Sequence, residues 1–236
     1  MSEEGFKVVY VARFREGMPH QEARDYWTDV HAPMADALPD MYRYVQSHVV
    51  GAIGAQGLKP GASVPFDGYS CEWWRDRASF EAGMKTDAWR RIVDDGPEVF
   101  DPASLDGMCA ALQERVIRDG PTSPYKVVWF ANFKPGMSLQ EASEHWLDVH
   151  APIALRAPGI DRYVQNLAVA SMNLEGIVDE LPAFDGFSEC WYADRDAYLR
   201  SQESEAWDEL AADGSNFLRM DALEGMSAVL EERVIR

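Results

Sequence analysis

Two histidines, His31 and His150, give the clearest indication of chemistry in this sequence of 236 residues. Each one ends the motif W-x-D-V-H and is followed by Ala-Pro, at 27–33 and again at 146–152. An imidazole takes up and returns a proton near neutral pH, which suits a general acid and base in enolisation, dehydration or lactone isomerisation. A buried histidine that hydrogen-bonds a backbone carbonyl and positions the proline kink would have the same pattern. The sequence alone leaves both interpretations open.

Polar side chains inside otherwise apolar strand segments are the second indication. Tyr44, Gln46 and His48 alternate along one segment and therefore share one face of the predicted strand. Glu72 interrupts a second apolar segment, and Arg13 lies near the end of a third. Because a buried polar group is costly unless it is paired, such residues often line a site. Hydrogen bonds across an interface within the protein would produce the same pattern.

These residues define a candidate site with roles that follow from their side-chain chemistry. We expect Gln46 and Tyr44 to hold a carbonyl or phenol group, Arg13 to stabilise an enolate, and Trp27 to form an aromatic wall. The candidate substrate-binding residues are Arg13, Trp27, Tyr44, Gln46, His48, Glu72, Asn132, Trp146 and Gln165.

No metal site is expected. His145 and His150 are five residues apart, whereas two ligands on one helical face need a spacing of three or four. A single histidine on a helix could serve as an axial haem ligand, so haem is kept as an alternative to a cofactor-free site. No C-x-x-C-H attachment motif is present in the sequence.

The chain is a tandem duplication. Residues 6–46 align with residues 125–165 without a gap, and the segment FDGYSCEWWRDR from Phe66 aligns with FDGFSECWYADR from Phe184. Both halves end alike, in LQERVIR and LEERVIR. We therefore predict two domains, 1–118 and 119–236, which are called the first and second repeat below. Two repeats are too few for a solenoid, so the copies are expected to pack against each other.

Each repeat has the pattern of a split β-α-β unit. An alternating, Val-rich and aromatic segment, 6–14 in the first repeat, predicts a strand, and Gly17-Met18-Pro19 opens a helix. Strands are then predicted over 42–50 and 69–75, a helix over roughly 77–95, and a last strand over 108–116. The order βαββαβ is the ferredoxin-like motif. Its sheet has helices on one face only, so we predict an α+β protein whose two sheets pack face to face.

The motif W-x-x-x-H-A-P, with Pro39 and the segment R-Y-V-Q at 43–46, resembles the EthD family of the dimeric α/β-barrel superfamily. The match recurs at 146–152, Pro158 and 162–165, so the resemblance extends over both repeats. The resemblance implies a homodimer fused into one chain, and therefore a monomer in solution. Relatives in the superfamily include cofactor-independent monooxygenases, lactone isomerases, polyketide cyclases and dehydratases, and haem enzymes. A function carried over from the fold alone would be analogy.

Differences between the repeats favour the first one as the active copy. The second repeat has Leu167, Asn132 and Cys190 where the first repeat has His48, Arg13 and Glu72. The first repeat thus keeps more ionisable groups around its histidine. Simple drift on a surface would produce the same pattern.

Charge and composition exclude several classes of function. The sequence has 22 Lys and Arg residues and 40 Asp and Glu residues, so the net charge is −18. Nucleic acids and anionic membrane surfaces both need a surplus of basic residues, so neither is an expected partner. The acidic N-terminal segment lacks the pattern of a signal peptide, and three scattered cysteines fit a reducing compartment. The expected location is the cytoplasm.

The favoured function is therefore a cofactor-independent acid/base enzyme, a lyase or dehydratase or an isomerase or cyclase. Its substrate would be a small hydrophobic aromatic, lactone or polyketide-like compound. Oxygen chemistry on a similar substrate, without a cofactor or with haem, is the first alternative. A non-catalytic carrier or accessory protein that protects a small molecule is the second.

Overall fold

The computed structural model describes residues 5–54, 57–58, 64–178, 180 and 182–236. Within these residues the strands belong to one antiparallel sheet. They are β1 (Phe6–Ala12), β2 (Met41–Gly54), β3 (Gly57–Leu58), β4 (Gly68–Trp74), β5 (Cys109–Arg118), β6 (Tyr125–Ala131), β7 (Ile160–Asn173), β8 (Gly176–Val178), β9 (Gly186–Tyr192) and β10 (Ser227–Val234). Short β3 and β8 extend the ends of β2 and β7 as hairpins.

The helices lie in the connections that the sequence predicts. They are α1 (His20–Tyr26), α2 (Arg77–Gly83), α3 (Asp87–Asp95), α4 (Leu139–His145), α5 (Ala151–Ala154), α6 (Arg195–Gln202), α7 (Glu205–Phe217) and α8 (Met220–Gly225). A π-helical turn follows α1 at Trp27–His31 and α4 at Trp146–His150. 3₁₀ turns occupy Ala32–Ala37, Gly96–Glu98 and Pro102–Leu105.

The predicted helix over 77–95 is divided into α2 and α3. The hydroxyl of Thr86 accepts a hydrogen bond from the Trp89 backbone N–H and caps a new helix. Asp76 caps α2 in the same way through the Ser79 backbone N–H. Such caps satisfy donors that a helix start leaves unpaired, and they fix where each helix begins. Otherwise each repeat follows the predicted order βαββαβ, and the α+β class is confirmed.

Eight strands close into a barrel because each repeat contributes its last strand to the other repeat. Strand β5 lies between β1 of its own repeat and β7 of the second, and β10 lies between β6 and β2. The two sheets thus face each other across a common interior, and hydrogen bonds also join their edges. The domain boundaries 1–118 and 119–236 and the monomeric state stay predictions.

The barrel interior is an apolar core shared by both repeats. Its largest side chains are aromatic, with Tyr69 of the first repeat packed against Phe130 and Phe187 of the second at centroid distances of 6.0 and 5.4 Å. Alternation along the strands directs the other set of side chains outwards, against the helices. Each repeat therefore has a second apolar layer between its helices and the outer face of the sheet.

At one end of the barrel interior the core is ionic. Lys126 Nζ lies 2.6 Å from Glu189 Oε1 and 2.6 Å from Glu232 Oε2, and it donates to Ser47 Oγ of the first repeat at 3.0 Å. Lys7 Nζ lies 2.5 Å from Glu114 Oε2 and 3.7 Å from Glu189 Oε2. Burial disfavours the carboxylate of Glu189, but the two ammonium groups outweigh burial and lower its pKa to about 2. Glu189 is thus charged and shared between lysines of different repeats.

No helix in the described parts of the chain is long and apolar enough to cross a membrane.

The ion cluster makes a prediction about stability. Lys126→Met should lower the free energy of unfolding by about 3–5 kcal/mol, because it leaves buried carboxylates without their partner. Urea denaturation measures this loss. Lys85→Met is the matched control, since Lys85 is exposed and its replacement should change stability by less than about 0.5 kcal/mol. Equal effects of the two substitutions would contradict the proposed importance of the cluster.

Candidate active site in the first repeat

A cavity of about 220 Å³ lies between the outer face of the first repeat's sheet and its helices. Its floor is formed by strand residues, and its walls by the π-helical turn, α3 and the segment after α3. The floor residues are Tyr10, Tyr44, Ser70 and Glu72, and the main wall residues are Trp27, His31, Leu38, Trp89 and Phe100. The lining is largely apolar and aromatic, with a few polar groups, which is the usual composition of a small-molecule site.

His31 forms a close pair with Asp95, which is the last residue of α3. Its Nδ1 lies 2.7 Å from Asp95 Oδ2, and Tyr26 donates to the other carboxylate oxygen at 2.8 Å. Since a carboxylate only accepts, Nδ1 carries the proton and Nε2 is the basic nitrogen. Burial lowers the pKa of His31, and the hydrogen bond and charge of Asp95 offset part of this effect. A neutral imidazole oriented by a carboxylate is suited to act as a general base.

Local sequence explains how Trp27 and His31 reach the sheet together. The π-helical turn places these residues, four apart, on the side of the helix that lines the cavity. Gly68 lies directly under the indole, and a Cβ at this position would meet Trp27 Cζ3 at 2.8 Å and the Ser47 carbonyl oxygen at 2.7 Å. Only glycine permits this approach. Phe100 then completes the wall, with its ring centroid 5.2 Å from that of Trp27 and 5.3 Å from that of His31.

Gln46 lies beside the cavity, between β2 and the π-helical turn, and holds the neighbouring side chains in place. Its Nε2 donates to the Trp27 carbonyl and to the Tyr44 hydroxyl, both at 3.2 Å, while Trp27 Nε1 donates to the same hydroxyl at 3.2 Å. His48 lies 3.1 Å from Gln46 Oε1 and packs under Trp27 at a ring distance of 4.7 Å. Burial and the charges of nearby arginines lower the pKa of His48 to about 3, so it is neutral. Both residues fix the shape of the site without lining it.

Glu72 is a buried acid in the cavity floor. Trp74 Nε1 donates to its Oε2 at 3.2 Å, and no cation pairs with it among the described residues. Burial raises the pKa of Glu72 to about 7, and the hydrogen bond from Trp74 offsets only part of that rise. The carboxyl group is therefore near the midpoint of its titration at neutral pH, unlike an exposed glutamate.

The second repeat closes one side of this cavity. Leu174, in the turn between β7 and β8, lines the cavity, and its carbonyl oxygen accepts a hydrogen bond from Trp89 Nε1 at 3.1 Å. The site in the first repeat is therefore complete only when both repeats are folded together.

The equivalent cavity of the second repeat is smaller, about 90 Å³. Trp129 occupies the place of Tyr10, and the thiol of Cys190 stands where the first repeat has a carboxyl group. His150 keeps the pairing, with Nδ1 2.8 Å from Asp213 Oδ2, and His145 Nε2 lies 2.9 Å from the other oxygen. The histidine–aspartate pair is thus common to both repeats, whereas the floor is not.

The structure brings most of the predicted site residues to these two cavities. Those that line a cavity are His31, Trp27, Tyr44 and Glu72 in the first repeat and His150 and Trp146 in the second. Gln165, like Gln46, lies beside its cavity without lining it, and its Nε2 donates to the Trp146 carbonyl and the Tyr163 hydroxyl at 3.0 and 2.9 Å. His48 also lies outside the lining.

Arg13 and Asn132 lie outside both cavities, contrary to their expected roles. Strand β1 ends at Ala12, because the Phe14 backbone N–H turns to donate to Asp67 Oδ2 at 2.8 Å. The Arg13 side chain is consequently exposed to solvent and cannot stabilise an enolate in the cavity. Asn132 is equally displaced, and its Nδ2 donates to the Ala183 carbonyl at 2.8 Å.

Sequence reasoning missed Asp95, Asp213 and Tyr10. A signal for the two aspartates was present, since each is followed by glycine at the same place in its repeat, Asp95-Gly96 and Asp213-Gly214. The signal for Tyr10 was weak, because a tyrosine in a strand is ordinary. Its buried hydroxyl has no hydrogen-bond partner among the described residues.

The lining of the first cavity does not fit haem. Among its described residues there is no Lys or Arg to pair with the propionates, and Glu72 would place a carboxyl group against the macrocycle. The volume is also below the roughly 300–1,000 Å³ of pockets for larger ligands. No group of three or more His, Cys, Asp or Glu residues within the described chain is arranged to hold a metal ion.

Comparisons with known proteins agree with the fold. The model of the family described as EthD domain matches residues 15–103 and again residues 134–221. No curated protein matches the sequence. The structure is similar to that of an anthrone oxidase-like protein, with 13% identity, a TM-score of 0.59 and coverage of 99% of this chain and 94% of that one.

Two further structures are similar at the level of the fold. A candidate monooxygenase from Fusobacterium nucleatum has 10% identity, a TM-score of 0.56 and coverage of 100% of this chain and 94% of its own. A dye-decolorizing peroxidase from Bacteroides thetaiotaomicron has 11% identity, a TM-score of 0.50 and coverage of 97% and 93%. At such identities the similarity concerns the fold alone.

The histidine–aspartate pair makes a prediction about titration. In Asp95→Asn the pKa of His31 should fall further below its ordinary value, because the carboxylate that favours the imidazolium is replaced by a neutral amide. An NMR titration of the ring Cε1–H signals measures this shift. His150 keeps Asp213 and serves as the internal control. An unchanged or raised pKa of His31 in the variant would contradict the pairing.

The buried acid makes a prediction about stability and pH. Between pH 4.5, the ordinary value for glutamate, and about pH 7, only the folded protein holds the Glu72 proton, so stability falls as pH rises. Each pH unit is worth about 1.4 kcal/mol, which amounts to about 3 kcal/mol over the window. Glu72→Gln lacks this proton. Between pH 4.5 and 8, urea denaturation should therefore show the free energy of unfolding of Glu72→Gln rising by about that amount relative to that of wild type. If the difference in free energy between the two proteins stays constant over this range, Glu72 is not a buried, neutral acid.

Proposed function

Since the chain belongs to the EthD family of the dimeric α/β-barrel superfamily, and since its first cavity holds an oriented basic histidine, we propose that it is a cofactor-independent oxidoreductase. The substrate would be a small, flat ring compound with an acidic C–H that is conjugated with a carbonyl group through the ring system. The single observation that carries this proposal is the His31–Asp95 pair at the wall of an apolar, aromatic cavity.

His31 would begin the reaction as a general base. Its Nε2 takes a proton from the acidic carbon, and the C–H electron pair enters the substrate as an enolate. Asp95, held by its hydrogen bond to Nδ1 and by the Tyr26 hydroxyl, stabilises the imidazolium that forms. The apolar walls keep water away from the enolate, which favours its reaction with another substrate.

Molecular oxygen would be that second substrate. The enolate carbon forms a bond to oxygen, the O–O bond breaks, and one oxygen atom stays on the carbon as a carbonyl. The other oxygen leaves as water with the two hydrogens of the original CH₂ group, so that CH₂ and O₂ give C=O and H₂O. Electrons come from the substrate alone, so no external reductant is needed.

The choice of oxidation over elimination or isomerisation rests on the similar structures. The three described above are named as an anthrone oxidase-like protein, a monooxygenase and a peroxidase, and these names all describe oxidations. The lyase or isomerase that the sequence favoured therefore finds no support there. Both classes share proton abstraction by His31, and they differ in the fate of the enolate.

Anthrone, a flat tricyclic ketone with an acidic CH₂ group, is a suitable probe. Oxygen uptake and anthraquinone absorbance should both rise above the uncatalysed rate in the presence of the protein. We expect His31→Ala to lower kcat by about 10²–10⁴-fold, the usual contribution of a general base. His150→Ala is the matched control in the second repeat and should change the rate by less than about twofold.

Three results would contradict this function. Equal activity of His31→Ala and wild type would remove His31 as the base. Product formation without oxygen uptake would favour a lyase or isomerase. Tight binding of anthrone without turnover would favour a carrier.

A further inference from the structure

The floor of the first cavity offers a hydrogen-bond donor opposite the catalytic histidine. Glu72 lies on β4, directly across from Val8 of β1 and Tyr44 of β2 in the sheet register. His31 reaches the same cavity from the helical side. A molecule that fills the space between helix and sheet would therefore contact the imidazole on one side and the carboxyl group on the other.

One oxygen of this carboxyl group is fixed and the other is free to act. Oε2 accepts the hydrogen bond from Trp74 Nε1, which sets the orientation of the group. Oε1 has no hydrogen-bond partner among the described residues, and it is not one of the fully enclosed polar atoms. Glu72 itself is only 8% exposed, so any group that reaches Oε1 must come through the cavity.

The groups that face Glu72 from the neighbouring elements are neutral. They are Tyr10 of β1, Tyr44 of β2, Cys109 of β5 and His31 of the π-helical turn. Burial raises the pKa of both tyrosines and that of the Cys109 thiol, and it lowers that of His31. The side chains that α3 contributes to the cavity are Trp89, Ile92 and Val93, which carry no charge. Among the described residues, only the hydrogen bond from Trp74 thus favours the carboxylate of Glu72, and no cation pairs with it.

We propose that Glu72, as an uncharged acid, donates a hydrogen bond to the carbonyl oxygen of the substrate, so that the site selects a neutral ring ketone and excludes ring carboxylates. This inference rests on the proposed function and specifies its substrate. When His31 removes the proton from the ring carbon, the electron pair moves onto the carbonyl oxygen. The Glu72 O–H then stabilises this oxyanion while keeping its own proton, which is the role that sequence analysis had given to Arg13.

A carboxylate ligand is excluded for a simple electrostatic reason. It would bring a negative charge into a cavity whose lining has no Lys or Arg among the described residues. It would also compete with Glu72 for the proton that Glu72 holds. Burial of an unpaired charge is costly, whereas a ketone needs only one donor. The second repeat lacks this donor, because Cys190 occupies the equivalent position.

The test uses 9-fluorenone labelled with ¹³C at its carbonyl, a flat tricyclic ketone that has no acidic C–H to oxidise. Isotope-edited infrared difference spectra of the full-length protein report the hydrogen bond as a lowered carbonyl stretching frequency. We expect a clear lowering in wild type at pH 6, a smaller one in Glu72→Gln, whose amide still donates, and none in Glu72→Leu. Affinity for fluorenone should fall roughly three- to tenfold in Glu72→Leu, the contribution of one neutral hydrogen bond.

Two controls separate the donor from general effects on the cavity. Cys190→Ser changes the equivalent position in the second repeat. Fluorenone bound to this variant should have the same carbonyl stretching frequency as fluorenone bound to wild type. Fluorenone binding by wild type should weaken as the pH rises through about 7, while that of Glu72→Gln should not. Fluorene-9-carboxylate, a matched ring acid, should bind wild type at least tenfold more weakly than fluorenone.

Each outcome bears on a different statement. The same carbonyl frequency in wild type and Glu72→Leu, or no binding of fluorenone, would overturn the role of Glu72. If anthrone oxidation still depends on His31 in that case, the proposed function stands without it. A lowered frequency without any oxidation of anthrone would support the ketone site and contradict the oxidoreductase.

Discussion

The carboxylate of Glu189 connects the two repeats inside the barrel. One of its oxygens contacts Lys126 of the second repeat at 2.6 Å, and the other lies 3.7 Å from Lys7 of the first. The Tyr69 hydroxyl also donates to it at 2.8 Å. A buried charge of this kind is tolerated only with its partners in place, so the repeats cannot slide or separate without exposing it. Glu114 of β5 and Glu232 of β10, the two strands that join the repeats, pair with the same lysines.

The same pair of residue types occurs in both repeats, but in the opposite order. The first repeat has Cys71-Glu72 on β4, and the second has Glu189-Cys190 on β9. Because neighbouring residues of a strand point to opposite faces, the swap moves the carboxyl group from the barrel interior to the outer cavity. Inside the barrel lysines keep the acid charged, with a pKa of about 2, whereas in the cavity burial alone raises it to about 7. Position on the strand thus decides whether the acid is structural or available to a ligand.

Much of this architecture could be predicted from the sequence, because the relevant signals are local or repeated. Alternation placed Tyr44, Gln46 and His48 on one face, and the duplication indicated two packed sheets. The partner of His31 could not be predicted in this way, since Asp95 is 64 residues away and meets it only through the packing of α3 on the π-helical turn. Arg13 was misplaced for a different reason. Alternation along β1 puts it on the face opposite Tyr10 and Ala12, which line the cavity, and the strand ends at Ala12, two residues before the predicted end.

The histidine–aspartate pair by itself does not identify an active site. It occurs with nearly the same distance in both repeats, 2.7 Å at His31 and 2.8 Å at His150, and it ties the π-helical turn to α3 in the first repeat and to α7 in the second. Duplication preserves such a tie whether it is structural or catalytic. The repeats differ in what faces the imidazole: an acid and an open cavity in the first, and Trp129 with a thiol in a cavity less than half as large in the second. The choice of the first repeat as the active copy therefore rests on the cavity that surrounds its histidine pair, because the pair itself is common to both repeats.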